Sequence, residues 1–327
     1  MLNRARIALS AKQLFAEVIP PSGISNEIKL SIRQLDLLCI IVGIIIVIAF
    51  RVLWLLNHYY VDGALVLDTS WFAHLISSGD FFLRNPSAIN TQSYYNTHLS
   101  PAIGVYSILS PLRRFPLALQ AGIFLGLINS LAIIAIYLPI RFNILSAFKP
   151  SHSRIIALLF SISFSLFGEP DRLLRYPHFE VAIPLLISLS IFFYAWLKLL
   201  PAILFLLLAI AFREDAGFHA SLCYFLIILF LLIRRRQYSP ELLSSLLRPC
   251  FVIVVLCFSL SLFAVVFQKI FYSSDNALQR IYLGDPIFQH VSSSFLLMRW
   301  FEISKLQWLM FPVFCLLVLA ILSRNLL

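Results

Sequence analysis

Charge is what this chain has least of. Only 12% of its 327 residues are Asp, Glu, Lys or Arg, where a soluble globular domain carries about a quarter. That shortage excludes an ordinary water-soluble domain. Cysteine is sparse and scattered: Cys39, Cys223, Cys250, Cys257 and Cys315 all sit in apolar runs, with no CxxC among them. Neither a disulfide framework nor a metal knuckle is implied. There is no internal repeat, no stretch that reads as a separate soluble domain, and no nucleic-acid-binding module. No cleavable signal peptide is read either. The first apolar run begins only near Leu35, after a basic leader with Arg4, Arg6, Lys12, Lys29 and Arg33, and no small-residue cleavage site follows it.

What is present is hydrophobic. Apolar residues make up 61%, with 30 Phe, and the mean hydropathy is +0.92. Only helices or closed barrels satisfy backbone groups in lipid. The runs are continuous rather than alternating, so helices are expected. The chain reads as an all-α polytopic membrane protein. Its net charge of +10 fits basic loops facing anionic lipid on the cytoplasmic side. The bilayer is therefore its expected partner, and nucleic acid is not.

Residues 1–34 read as a cytoplasmic leader and 35–327 as one multi-span membrane domain. The first span is 35–56. Residues 57–100 form a large first extracytoplasmic loop with an interfacial helix. Further apolar runs follow at 101–115, 116–140, 154–168, 179–200, 201–212, 216–233, 250–271 and 306–323. A crossing needs about 20 residues, so the runs at 101–115, 154–168 and 201–212 are marginal, and about eight or nine spans are expected. If 101–115 only dips into the outer face, Arg141, Lys149, Arg154, Lys198, Arg234-Arg235-Arg236, Arg248 and Arg324 all lie inside. If it crosses, everything after it inverts. A whole-loop count of Lys and Arg does not separate the two. The Arg run directly after a span favours the first, as does the economy of gathering polar stretches in one cavity.

Those polar stretches hold the candidate chemistry. LVLDTSWFAHLISSGDFF (65–82) has the aromatic spacing of an amphipathic interfacial helix. Asp68 stands at its start, as a helix cap or as a carboxylate able to take a proton from a hydroxyl. In YYNTHLSP (94–101) His98 precedes a Pro-started run, as a backbone-bonded histidine or a donor to an anionic or sugar group. In GEPDRLLRYPHFEVAIPLL (168–186) Arg172 and Arg175 share a face if helical. They are a solvated ion-paired loop or a phosphate clamp, with His178 and Glu180 beside them. In AFREDAGFHA (211–220) Arg213, Glu214 and Asp215 cannot all face one way on a helix. Asp215 and His219 are four apart and can meet. Asp215 either caps the next span or orients His219, and the two could also meet a metal.

The order of these pieces resembles the membrane-protein family known as domain of unknown function 2079. The resemblance rests on an acidic first loop, HLSP (98–101), PHFEVAIPLL (177–186) and FREDAG (212–217), and spans roughly 36–235. That family is grouped with the GT-C class of membrane glycosyltransferases. The resemblance implies a GT-C-like arrangement, a first-loop acid at Asp68 with Asp62 as rival, and a cavity lined by His98, His178, Glu180, Arg213, Glu214 and Asp215. It also implies a sugar donor on polyprenyl phosphate; in a glycosyltransferase reading Arg213, Arg172 and Arg175 are the candidates to neutralise that phosphate. A divalent metal is compatible with such chemistry, though no ligand set is legible. The plasma membrane, with the N-terminus cytoplasmic, is the expected location. A transporter or flippase, or a non-catalytic assembly protein, are the other readings of the same charges.

Overall fold

The computed structural model describes residues 26–61, 78–82, 93, 95, 99–105, 111–112, 114–145, 148–167, 181–196, 198–233, 235–237, 239–272, 292 and 294. Within them the protein is helical, with no strand. The helices are α1 (Asn26–Val61), α2 (Pro101–Val105), α3 (Leu117–Pro139), α4 (Pro150–Leu166), α5 (Ala182–Ala195), α6 (Leu199–Phe212), α7 (Ala216–Ile233) and α8 (Pro240–Phe271). A π-helical turn, Ile140–Ile144, extends α3. Among the described residues four segments are long and apolar enough to cross a membrane: Gln34–Val61, Leu117–Phe142, Ala216–Ile233 and Leu243–Phe271. The chain is therefore an integral membrane protein. Helices α5 and α6, of 14 residues each, fall short of a span at 1.5 Å rise per residue, and α4, at 17 residues, only reaches the lower limit. The run expected at 306–323 lies outside the described residues.

Helix α3 is the centre of the molecule and is buried along most of its length. It carries GIFLG at 122–126, and both glycines face α1. A Cβ on Gly122 would stand 2.8 Å from the Val52 Cα, and one on Gly126 would stand 2.9 Å from the Ile48 Cα. The two backbones thus touch without side chains between them, as small residues allow in membrane helix pairs. Ile48 pairs with Gly126 and Val52 with Gly122, so α1 and α3 are antiparallel.

One carboxylate fixes the far end of this pair. Asp36 Oδ1 accepts hydrogen bonds from the Tyr137 hydroxyl (2.8 Å), Arg141 Nε (3.2 Å) and Arg154 Nε (3.1 Å). All of these side chains are buried. Sequence reading counted Arg141 and Arg154 as loop charges. The structure instead turns them inward to join α1, the end of α3 and α4. At the opposite end of α4, fully buried Arg51 donates from Nη2 to the Ser165 carbonyl at 2.7 Å. That carbonyl belongs to the last turn of α4, where unpaired acceptors and the helix dipole both favour a cation.

The remaining helices follow as hairpins. Leu185 and Leu189 pack on Ala132 and Ala135, and Trp196 meets Phe142 edge-on at 5.9 Å, so α5 runs parallel to α3. Helix α6 returns beside α5, with Phe193 stacked on Phe205. Helices α7 and α8 are antiparallel. Gly217 N–H donates to Ser261 Oγ (2.9 Å), Ser221 Oγ donates to the Val254 carbonyl (3.1 Å), and Tyr194 reaches the Leu246 carbonyl. Helix directions therefore define two ends. Asp36, Arg141, Lys149, Arg154, Lys198, Arg235, Arg236 and Arg248 lie toward one. The 213–215 turn, the start of α3 and the C-terminus of α8 lie at the other.

Gly126→Leu should force α1 off α3 and lower the stability of the detergent-solubilised protein by about 1–3 kcal/mol, read as a shifted unfolding midpoint. Asp36→Ala leaves two buried cations without their carboxylate. It should cost about 3–5 kcal/mol, and Arg154→Met added to it should recover part of that loss.

Candidate functional site

The RED stretch occupies the turn between α6 and α7. Arg213 is extended, with φ −160° and ψ 139°, and residues 214–215 form a turn in which Ala216 N–H returns to the Arg213 carbonyl at 3.1 Å. Within that turn Arg213 and Asp215 meet, Nε to Oδ1 at 2.9 Å, both half-buried. Glu214 is wholly buried, at 0% exposure. This explains how three consecutive charges are accommodated: two pair with each other and the third, Glu214, is bonded elsewhere.

Asp215 also faces His219, whose Nε2 lies 3.9 Å from Oδ2 one helical turn on. Asp215 thus stands between a guanidinium and an imidazole. His219 is the most open member of the group, with a side chain 66% exposed. Among the described residues no group of three or more His, Cys, Asp or Glu is placed to hold a metal.

Glu214 reaches a distant part of the chain. Its Oε2 accepts the Leu99 N–H at 2.9 Å, across 115 residues. Leu99 lies in the HLSP stretch and leads into α2, where the Ser100 carbonyl accepts Ile103 N–H (3.0 Å) and Gly104 N–H (3.4 Å). The first loop packs on the same end. Tyr95 donates its hydroxyl to the Phe81 carbonyl (2.8 Å), accepts Gln268 Nε2 on its own carbonyl (2.9 Å), and meets Tyr272 edge-on at 5.6 Å. Burial, with Tyr272 and Asp80 nearby, pushes the Tyr95 hydroxyl above its ordinary range, which keeps it a donor. Gly104 permits this approach, because a Cβ there would run into Phe81 and Tyr95. Tyr95, Ala102, Ile103 and Phe124 share one apolar core with Phe212 and Ala216.

Leu99 and Leu117 thus lie at the same end of the bundle. Residues 106–110 and 113, between them, fall outside the described residues. The described first-loop residues and the RED turn share this end, opposite Arg141, Lys149, Arg154, Lys198, Arg235, Arg236 and Arg248.

Of the residues singled out from sequence, Arg213, Glu214, Asp215 and His219 are placed. Asp62, Asp68, His98, Arg172, Arg175, His178 and Glu180 lie outside the described residues. Sequence reading missed Gln268, Tyr272 and Arg51. A charge inside the first span was the available signal for Arg51. Nothing local marked Gln268 or Tyr272. Comparisons with protein-family models, with curated proteins and with solved structures return no match to this chain.

In a cysteine-free background, Ser93→Cys should react with an impermeant thiol reagent from one face of the membrane. Ser151→Cys and Ser239→Cys should react only from the other, as read by labelling intact and permeabilised cells.

Proposed function

We propose that the protein is a membrane glycosyltransferase with a GT-C-like arrangement of eight or nine spans. It moves a sugar from a polyprenyl-phosphate donor to an acceptor on the extracytoplasmic face of the plasma membrane. One observation carries this reading: the buried Glu214 carboxylate holds the HLSP stretch against the RED turn. Polar segments far apart in sequence therefore meet at a single end, as a one-face reaction requires. The opposite end exposes Lys149, Lys198, Arg235, Arg236 and Arg248, which supports its being cytoplasmic and the N-terminus with it. Kinship with the family known as domain of unknown function 2079 belongs to the same reading.

In this mechanism an acceptor hydroxyl attacks the anomeric carbon and Asp68 takes its proton. The bond from that carbon to the phosphate oxygen breaks, and its electron pair leaves with the polyprenyl phosphate. Negative charge grows on that oxygen, so cations preset beside it lower the barrier. Arg172, Arg175 and Arg213 have this role, and Asp215 holds Arg213 in place. His98, His178 and Glu180 position sugar or acceptor. A divalent metal would add a further cation, with Asp215 and His219 as two candidate ligands.

Transport is the second reading, favoured by Arg51. A fully buried cation inside a span is a feature of ion and substrate paths.

Asp68→Asn should reduce sugar transfer from a polyprenyl-phosphate donor by about 100-fold or more, with unchanged insertion and unfolding midpoint. Purified protein that transfers no sugar from such donors, yet moves a solute across vesicles, would replace this reading with transport.

A further inference from the structure

Glu214 was grouped above with the substrate-facing charges on sequence grounds. Its surroundings assign it another task. We infer that Glu214 is a positioning residue: its carboxylate is the internal anchor that seats the segment leading into α2, through Leu99, against the Arg213–Asp215–His219 turn. This inference rests on the proposed transferase reading for its functional consequence, but its structural content stands apart from it.

Three observations carry it. Glu214 has no exposed surface, whereas Arg213 and Asp215 beside it are partly open and His219 mostly so. The same turn that pairs Arg213 with Asp215, closed by Ala216 N–H on the Arg213 carbonyl at 3.1 Å, puts Glu214 at a wholly buried position. And Glu214 Oε2 takes a main-chain N–H, that of Leu99, rather than facing an opening. Leu99 leads directly into α2, so fixing its amide fixes the start of that helix against the turn.

The energetics favour this role over simple stabilisation. A charge taken out of water costs several kcal/mol, and an apolar side chain of similar size would fill the same space at less cost. A carboxylate there is useful because it is directional and bonds strongly to an amide. Neutral contacts also hold the segment: Gln268 on the Tyr95 carbonyl, Tyr95 on the Phe81 carbonyl, and the close approach at Gly104. Glu214 supplies the charge-assisted bond and links the turn's sequence position directly to the loop's register. The RED turn thus divides its charges: Arg213 and Asp215 pair with each other, and Glu214 bonds to the segment leading into α2.

The test uses the full chain with its native cysteines replaced and one reporter at a time. Ser100→Cys reports the anchored segment and Ser161→Cys the body of α4; both positions are buried, at 0% exposure. Maleimide labelling rates are measured in the Glu214→Ala and Glu214→Gln backgrounds. Glutamine keeps a carbonyl oxygen for Leu99 and loses the charge. Position 100 should label about tenfold faster with Ala, from loss of one charge-assisted hydrogen bond, and only about two- to threefold faster with Gln, whose neutral oxygen keeps a weaker one. Position 161 should stay slow in both. Position 100 remaining protected with Ala, or opening equally with Gln, overturns the inference. If Ala also opens position 161, the protein has unfolded and the Gln variant decides, by whether position 100 stays protected. Sugar transfer is read in parallel: Ala should lower it, and Gln should recover most of it. Loss with Gln while position 100 stays protected would make Glu214 a direct participant in the chemistry and overturn its positioning role. A parent protein with no transfer at all removes the proposed function and leaves the labelling result standing.

Discussion

The contact that the rest of the structure depends on is between two backbones. In lipid, apolar helices gain little from burying side chains against each other, because acyl chains are equally apolar. Association then relies on close packing and polar contacts. Gly122 and Gly126 let α1 lie directly on α3. That contact sets the antiparallel direction and the register of the pair. From it follow the meeting of Asp36 with Tyr137 and Arg141 at one end and the passage of Arg51 beneath the end of α4. Helix α5 then takes its direction from α3, and the later hairpins take theirs from α5.

The few charges at depth are each given a specific partner. Asp36 joins three helices, Arg51 serves the last turn of α4, and Glu214 holds the amide that leads into α2. Such groups are poor sources of net stability, because desolvation offsets much of the attraction. Their value lies in direction. A carboxylate or guanidinium accepts few geometries, so each fixes one element against another where apolar packing alone would tolerate sliding. The consequence for function is an end of the bundle where first loop, HLSP stretch and RED turn are in register.

Much of the helix layout was legible in the residues. The runs expected at 116–140, 201–212 and 216–233 correspond to α3, α6 and α7, whose ends are marked by Pro, Lys or the RED charges. The run at 179–200 overshoots α5 because Trp196 and Leu199 are apolar yet lie in a turn and in the next helix. The run at 250–271 misses the start of α8, because Arg248 and Pro249 interrupt its hydrophobicity while the helix continues through them from Pro240. The run at 35–56 likewise begins inside α1, which starts at Asn26. The glycine seam was in plain view as GIFLG, but a count of apolar residues treats such glycines as neutral filler. Of the candidate site, the turn at 213–215 and the Asp215–His219 pairing were readable from spacing.

Residue order and composition therefore decide that this is a helical membrane protein, because run length and charge are local properties and the bilayer acts on them directly. They also decide that RED stands at a helix junction. They do not decide which way each of those charges points, or that Glu214 will find Leu99 115 residues away. Those outcomes depend on where two backbones come to lie. That is settled only when α1 closes on α3, α5 aligns with it, and the following helices fold back in turn.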